Sequence, residues 1–485
     1  MRGAVRTIAG FVLAVVGLTA LVVFDGLIAP WLPPGPDGSV HSYTLLQVRV
    51  ILIALLVPGL ALLASPAIDY WRRRSQRVVM RPPVDRFLLR WLLVALVIRV
   101  AYLLVVDIPI ASDAAEYDRL ARTLNQTGCY CVGSIPTAYR PIGYPAFLAA
   151  IYGIFGPSPI VGAVANLLLS LVTCILGYRL AEALISVKAA RVTVIMLALL
   201  PSHWLWTNML MSEVLYTLLL LAALVFATRR SFAATTAAGV LLGLAALTRP
   251  ITLLVPVALV GYWWATHRRA VPTATRLIIA VLFMVATTTP WMIRNARQVG
   301  SPTIATSGGV NFYIGNHADA SFGYQAPDPS LFPLDDPARE AELDRLGYRL
   351  GVRNVLDDPG AFVVRGLLKV VWLFAFDPEP LQYELLSASR DRRDIALAGA
   401  VAAQGLYMLL LAAAARGMWL SIRRRDYRLL ASIGAIIVYW AAVHFVFFGG
   451  GRFHAPIIPL LVIMAAAWIT HDWYRDTPRR IRSAR

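Results

Sequence analysis

Residues 208–250 read NMLMSEVLYTLLLLAALVFATRRSFAATTAAGVLLGLAALTRP: two apolar runs, at about 208–228 and 233–248, separated by Arg229 and Arg230, with Glu213 and Arg249 near their far ends. A helix that crosses a bilayer needs about 20 mainly apolar residues, and polar groups, Pro or Gly punctuate its ends. Lys and Arg are retained on the cytoplasmic side, so the Arg229–Arg230 turn is expected there, and Glu213 and Arg249 emerge on the opposite face.

Working outward, twelve stretches qualify as spans, at about 7–29, 47–67, 88–107, 159–181, 188–203, 208–228, 233–248, 250–266, 276–293, 393–421, 429–448 and 453–472. Every second connection is basic: Arg72 to Arg86, Lys188 with Arg191, Arg229 with Arg230, Arg268 with Arg269, Arg423 to Arg425, and the tail from Arg479 to Arg485. Both termini are then cytoplasmic, and two long segments, about 108–158 and 294–392, face outward. The first apolar run reads as a retained helix, being long and without a small-residue cleavage site.

The composition agrees, with 58% hydrophobic and 15% charged residues and a mean hydropathy of +0.65, which places lipid around most of the chain. The net charge of +18 lies mainly in those short cytoplasmic clusters, so no nucleic-acid partner is expected. Cys129 and Cys131 are too close in sequence for an easy bridge and Cys174 lies inside an apolar run, so no structural disulfide is expected.

Both outward segments exceed the roughly 15 residues at which an unstructured loop becomes uncommon, so both are expected to be folded. Asp113 to Leu124 has the spacing of an amphipathic helix, and Ala361 to Phe376 that of an interfacial helix, with a short span as the alternative. Asp113 and Glu116, one turn apart, share a face as a candidate general base and acidic partner; the plain alternative is a helix start capped by Ser112. Arg140, in the rigid Tyr139-Arg140-Pro141-Ile142-Gly143-Tyr144-Pro145, suits a phosphate because its planar fork meets two oxygens at once. Glu213, Arg249 and Arg452 sit at outward ends near membrane depth, where ionisable groups serve a task or a partner; a Glu213–Arg249 pair is the plain alternative. Asn311, Tyr313 and Asn316 in a Gly-rich stretch, with Tyr139, Tyr144 and His454, suit a hydroxyl-rich ligand. No HExxH, paired CxxC or nucleotide-binding loop occurs, which argues against an ATP-driven pump and against a cytoplasmic sugar nucleotide.

The order of ASDAAEYDRLA (111–121), YRPIGYPAFLAAIYGIFG (139–156), MSEVLYTLLLLAAL (211–224), GVLLGLAALTRP (239–250), PWMIRNARQVGSPTIATSGGVNFYIGN (290–316) and GRFHAPIIPLL (451–461) resembles the bacterial GT-C glycosyltransferases related to aminoarabinose transferases, protein O-mannosyltransferases and rhizobial galacturonosyltransferases. The resemblance covers about residues 88–470. It implies an all-α polytopic membrane protein of about twelve transmembrane helices with two folded outward loop segments. Residues 1–87 would add two extra helices and a basic linker, 88–293 the core with the first outer loop, 294–392 the second outer segment, and 393–485 the last helices and basic tail.

The implied activity is inverting transfer of a sugar from a polyprenyl-phosphate-linked donor to a hydroxyl of a lipid, glycan or protein acceptor, on the non-cytoplasmic face of the inner (plasma) membrane. Asp113 would be the base, Arg140 with Arg249 and Arg452 the phosphate contacts, and Glu116 and Glu213 the second acidic positions; a divalent cation, Mg or Mn, is left open as a cofactor. The alternative from another class is a transporter or flippase for lipid-linked or anionic substrates. Two long outer segments and the lack of inverted repeats stand against it.

Overall fold

The computed structural model describes residues 85–470 apart from 107–109, 268, 319, 321–322, 378 and 382–389. The expected helices at about 7–29 and 47–67, the linker arginines from Arg72 to Arg81, Arg268 and the basic tail lie outside the described residues.

Helix α1 (Arg86–Val105) leads into the first of the two segments expected to face outward, which holds α2 (Ser112–Thr127), a short antiparallel pair of β1 (Cys131–Val132) and β2 (Ile135–Pro136), and α3 (Gly143–Phe155). Then follow α4 (Pro159–Leu184), α5 (Val187–Leu199), α6 (Ser212–Ala227), α7 (Phe232–Thr248), α8 (Val255–His267) and α9 (Ala270–Gln298). The second outer segment contains α10 (Gly308–Asn316), α11 (Glu340–Asp357) and α12 (Pro359–Ala375). The chain closes with α13 (Arg390–Arg424), α14 (Ala435–Val446) and α15 (Ile458–Ile469).

All ten expected stretches within the described residues are therefore helical. Six helices among these residues are long and apolar enough to cross a membrane, and a seventh span arises if Val187–Leu199 and Pro201–Asn208, bent by 71°, count as one. The remaining stretches form shorter apolar helices, such as the 16 residues of α6 and the 17 of α7, close to the lower limit for a crossing. The protein is a multi-pass membrane protein.

Local chemistry sets several boundaries. The Ser186 hydroxyl accepts from the Ala189 amide at the start of α5, and the Ser231 hydroxyl from Ala234 at the start of α7, satisfying otherwise orphaned helix donors. Helices α7 and α9 meet backbone to backbone: a Cβ on Gly239 would lie 2.7 Å from the Ala280 carbonyl oxygen, and one on Gly243 2.9 Å from that of Met284. Small residues permit this approach where lipid tails compete on equal terms with larger side chains. The expected amphipathic helix is α2, with Ala114, Tyr117, Leu120 and Ala121 buried on one face. Ser112 does not cap it: it is the first helical residue, in the left-handed region at φ 52°, and no side chain caps this end.

One expectation is corrected. Cys129 and Cys131 are joined by a disulfide, because the chain reverses on entering β1 and brings their Cα atoms to 5.3 Å, within bridging range. Cys174 is free and buried.

Candidate active site

The site forms where the two outer segments meet the ends of the helices. Asp113 and Glu116 come from the first turns of α2, Arg140 from the bend before α3, Glu213 from the start of α6, Arg249 from the end of α7, and Arg452 from the turn before α15. Arg140 Nη2 donates to Asp113 Oδ1 and its Nε to Glu116 Oε2, each at 2.7 Å. Arg452 Nη2 lies 2.6 Å from Asp113 Oδ2. Arg249 Nη2 donates to Glu213 Oε1 at 2.9 Å. One continuous charge network thus links residues up to 339 positions apart in sequence (452 − 113).

A fourth carboxylate completes it. Glu379 Oε2 accepts the Arg452 backbone amide at 2.7 Å. Gly451 lets that backbone approach, since a Cβ there would collide with the Phe376 carbonyl oxygen. Aromatic faces line the arginines: Arg140 lies over Tyr117 and Tyr139, and both Arg249 and Arg452 lie over Phe453. Burial alone would raise the Asp113 carboxyl, but Arg452 and Arg140 outweigh it and hold the group below the usual carboxylate range. Burial pushes the Tyr139 hydroxyl up to about 12 and raises Glu379 against the pull of Arg452.

The network keeps donors in reserve. A guanidinium offers five N–H groups, and Arg140 engages carboxylates through only two of its three nitrogens. Arg452 Nε is buried with no hydrogen-bond acceptor among the described residues. Its 3.7 Å separation from Glu213 Oε1 makes an ion pair and is too long for a hydrogen bond.

The second outer segment fixes Arg140 from behind. Glu340 accepts the Thr137 hydroxyl and the Ala138 amide, both at 2.6 Å. Arg294 donates to the carbonyls of Thr137 and Tyr130 at 2.6 and 2.9 Å. The Tyr130 hydroxyl in turn donates to the Arg140 carbonyl at 3.0 Å. The far side is set by Gly143, where a Cβ would collide with Thr248, the neighbour of Arg249.

Residues 139–293 match the family model described as dolichyl-phosphate-mannose-protein mannosyltransferase, a stretch that includes Arg140, Glu213 and Arg249. The likeness to that family is confined to about a third of the chain. No curated protein matches. Among solved structures, the oligosaccharyltransferase of Archaeoglobus fulgidus in its apo form is 13% identical, with a TM-score of 0.45, over 80% of this chain and 51% of that one. AglB from the same organism, in complex with an inhibitory peptide and a dolichol-phosphate, is 14% identical with a TM-score of 0.44, over 80% and 51%. ArnT from Cupriavidus metallidurans bound to undecaprenyl phosphate is 15% identical with a TM-score of 0.43, over 78% and 77%. The chain thus spans about half the length of the archaeal proteins.

The other residues expected to meet ligand are spread more widely. Tyr139 lies at the network, its ring against Arg140. Tyr144 packs edge-on to Tyr117 and is fully buried, with its hydroxyl tied to Asn166. His454 is buried too, facing the Leu373 carbonyl through Nδ1 at 2.7 Å and Asp377 Oδ1 through Nε2 at 2.9 Å. Asn316 is enclosed between the Phe312 and Val446 carbonyls and Lys369. Tyr313 stacks on His317 and against Phe332, and Asn311 is half-buried on α10. The Glu213–Arg249 pair, the plain reading of those two residues, does form, but inside the wider network. Among the described residues no three His, Cys, Asp or Glu side chains converge as metal ligands; Asp113, Glu116 and Glu213 each turn to an arginine.

Sequence reasoning missed Glu379, Glu340 and the clamping role of Arg294. Glu379, in FDPEP, has only its position beside α12 as a signal. Arg294 was visible as a charge at the end of a span.

Proposed function

We propose that the protein transfers a sugar, with inversion, from a polyprenyl-phosphate donor to an acceptor hydroxyl on the non-cytoplasmic face of the membrane. The observation that carries this reading is Asp113 held between Arg140 and Arg452, a carboxylate and two cations at the place where a base and an anion site must adjoin. Polarity along the helices supports that face: α6 begins at Ser212, beside Glu213, and ends before Arg229, and α7 begins after Arg230 and ends at Thr248, beside Arg249. The basic turn and the charge network therefore occupy opposite ends of the same helices, and basic turns favour the cytoplasm.

The chemistry balances with these residues alone. The acceptor oxygen attacks the anomeric carbon from the face opposite the phosphate, and its proton passes to Asp113. The bond from that carbon to the phosphate oxygen breaks, and its electron pair leaves with the polyprenyl phosphate, which gains one negative charge. Arg140 and Arg452 stabilise that charge, as preorganised cations do. A single displacement inverts configuration, so a second carboxylate acting as nucleophile is not required.

In the resting network both Asp113 oxygens are covered by guanidinium groups. Donor binding therefore has a second effect: the phosphate draws Arg140 and Arg452 toward itself through their unengaged donors, and Asp113 recovers a lone pair and proton affinity. Glu116, Glu213 and Glu379 keep the arginines in place during the exchange. Association between donor and enzyme makes the base competent.

The test is sugar transfer in proteoliposomes with a panel of polyprenyl-phosphate sugars and membrane-lipid, glycan and peptide acceptors, comparing the wild type with Asp113→Asn. The expected outcome is a 10²- to 10⁴-fold lower rate, the usual worth of a positioned base, with donor binding retained. Unimpaired transfer by the variant refutes the assignment of Asp113. Movement of intact donor across the bilayer without transfer, by both proteins, refutes the reaction.

A further inference from the structure

A cavity of about 280 Å³ lies between the two outer segments, lined by Glu116, Arg119, Thr137 and Tyr139 from the first and by Leu334, Asp335, Asp336 and Glu340 from the second. It shares two walls with the charge network: Glu116 bonds Arg140 Nε, and the Tyr139 ring lies against the same guanidinium. Arg140 in turn bonds Asp113. The cavity is thus one side chain removed from the proposed base, and none of the donor-phosphate chemistry described above uses it.

We infer that this crevice is the acceptor subsite and that it receives one neutral or aminated sugar ring of a glycan acceptor. The inference rests on the glycosyl-transfer reading. Its volume is near the lower end for small-molecule sites, about 300 Å³, which suits a single ring rather than an extended chain. Tyr139 supplies an aromatic face of the kind that stacks on a sugar, and Leu334 an apolar patch opposite. The charged groups are four carboxylates, Glu116, Asp335, Asp336 and Glu340, against one cation, Arg119. Asp336 uses one oxygen on the Ala338 amide, and Asp335 is exposed with no bond to another described residue. Carboxylates accept from hydroxyl or ammonium groups and repel phosphate and uronate. Thus the anionic donor group belongs with Arg140 and Arg452, and the acceptor on the carboxylate side of Glu116. This division also keeps the two substrates from exchanging places.

Two measurements test this separately from the reaction itself. Leu334 is 37% exposed, and in Leu334→Cys the new thiol is labelled with a cationic or an anionic thiosulfonate, with the wild type as the background control. Labelling by the cation is expected to exceed that by the anion about tenfold after correction for their intrinsic rates, as an acidic cleft concentrates cations. Methyl glucoside and methyl glucosaminide are expected to slow the labelling, and glucose 6-phosphate to leave it unchanged. Equal labelling by the two reagents, or no protection by either glycoside, overturns the inference whatever the enzyme's reaction. In the transfer assay, Leu334→Trp is expected to raise the KM for glycan acceptors at least about tenfold, with the KM for the donor unchanged. Wild-type transfer with an acceptor KM untouched by Leu334→Trp refutes the crevice and leaves the function standing. Absence of transfer to any acceptor refutes the function, while the labelling still decides what the crevice binds.

Discussion

Two arginine sites in this molecule are built on opposite rules. Arg99, in the middle of α1, is fully buried and surrounded by neutral groups: Nε donates to the Ser170 hydroxyl, Nη1 to the carbonyls of Ala95 and Ala198, and Nη2 reaches the Leu197 carbonyl, the Cys174 sulfur and His203 Nδ1. Every nitrogen is engaged. Arg140 and Arg452 instead share carboxylates and keep donors in reserve. A guanidinium saturated by fixed carbonyls has nothing to exchange and acts as a cross-link among α1, α4 and α5. One held by movable carboxylates, with donors left over, can trade a carboxylate for a phosphate. Arg140 and Arg452 are also half-buried where Arg99 is fully enclosed, but it is the identity and number of its partners that leaves an arginine free to exchange them.

The largest effect should come from breaking the exchangeable side. Arg140→Ala removes a phosphate contact and a partner of Asp113 together, and we expect transfer to fall by at least about 10³-fold, the scale for a donor aimed at developing charge. Arg140→Lys should recover little, because a point charge cannot span Asp113, Glu116 and a phosphate at once. Steady-state transfer assays on both variants check this, and near-wild-type rates in Arg140→Ala would remove the phosphate assignment. Asp113→Asn supplies the complementary result: with a negative charge lost beside two arginines, the donor should bind as tightly as in the wild type or more so, measured by equilibrium binding.

Breaking the saturated side should look different. In Arg99→Met the neutral carbonyls lose their donor and three helices lose a cross-link, for a cost of about 2–4 kcal/mol. Thermal unfolding in detergent should register it, while the surviving folded protein keeps its KM for donor. A specific rise in that KM with unchanged stability would mean that Arg99 belongs to the reaction and that the distinction drawn above is wrong.

Between these extremes stands Glu340, which meets no group of the donor phosphate, borders the acceptor crevice and holds Thr137 and Ala138, just before Arg140 in the chain. Glu340→Gln keeps the shape and one acceptor but loses the acceptor for either the Thr137 hydroxyl or the Ala138 amide. We expect about a tenfold loss in kcat, equivalent to one hydrogen bond of roughly 1.4 kcal/mol. Glu340→Ala should lose more and should also expose residues 130–138 to protease. A kcat unaffected in both variants would show that the second segment does not position Arg140.

Much of this was legible in the sequence because membrane crossing and ion cost leave strong local marks. Arg229 and Arg230 between two apolar runs fix a turn, and Glu213 and Arg249 at the opposite ends announce a charged cluster without saying that Asp113 and Arg452 complete it. That convergence depends on how α2, α6, α7 and the turn before α15 pack, which no local pattern encodes. In the Gly-rich stretch around Asn311 and Asn316 the sequence did not show that its glycines allow backbone contact, as where a Cβ on Gly309 would collide with the Asp344 carbonyl oxygen. His454, inside a motif-like GRFH, is committed to Asp377 and Leu373, whereas Glu379, in a loop with no motif, holds the Arg452 amide.

The smallest predicted effect probes a carboxylate outside the arginine network. Asp344 on α11 accepts the Gly309 amide at 2.6 Å; burial pushes its carboxyl up to about 6, while that amide bond and Arg345 pull the other way and Glu340 adds to the rise. The folded protein then holds a proton at Asp344 in a range where the unfolded chain, with an ordinary value of 3.8, has released it. The stabilising contribution is fully present below about pH 4 and is lost as pH rises through about 6. Unfolding followed in detergent should thus show the wild type losing about 2 °C between pH 5 and 7.5 on this account. Asp344→Asn, which keeps an acceptor for Gly309 and carries no charge, should flatten that part of the profile, and an unchanged slope would mean that Asp344 is ionised at little cost in the folded state. Arg140 and Arg452 hold Asp113 below the usual range despite burial, whereas Asp344 has only Arg345 and one amide to oppose it. The difference between the wild-type and Asp344→Asn slopes therefore measures what it costs to charge a buried carboxylate that lacks paired guanidinium groups.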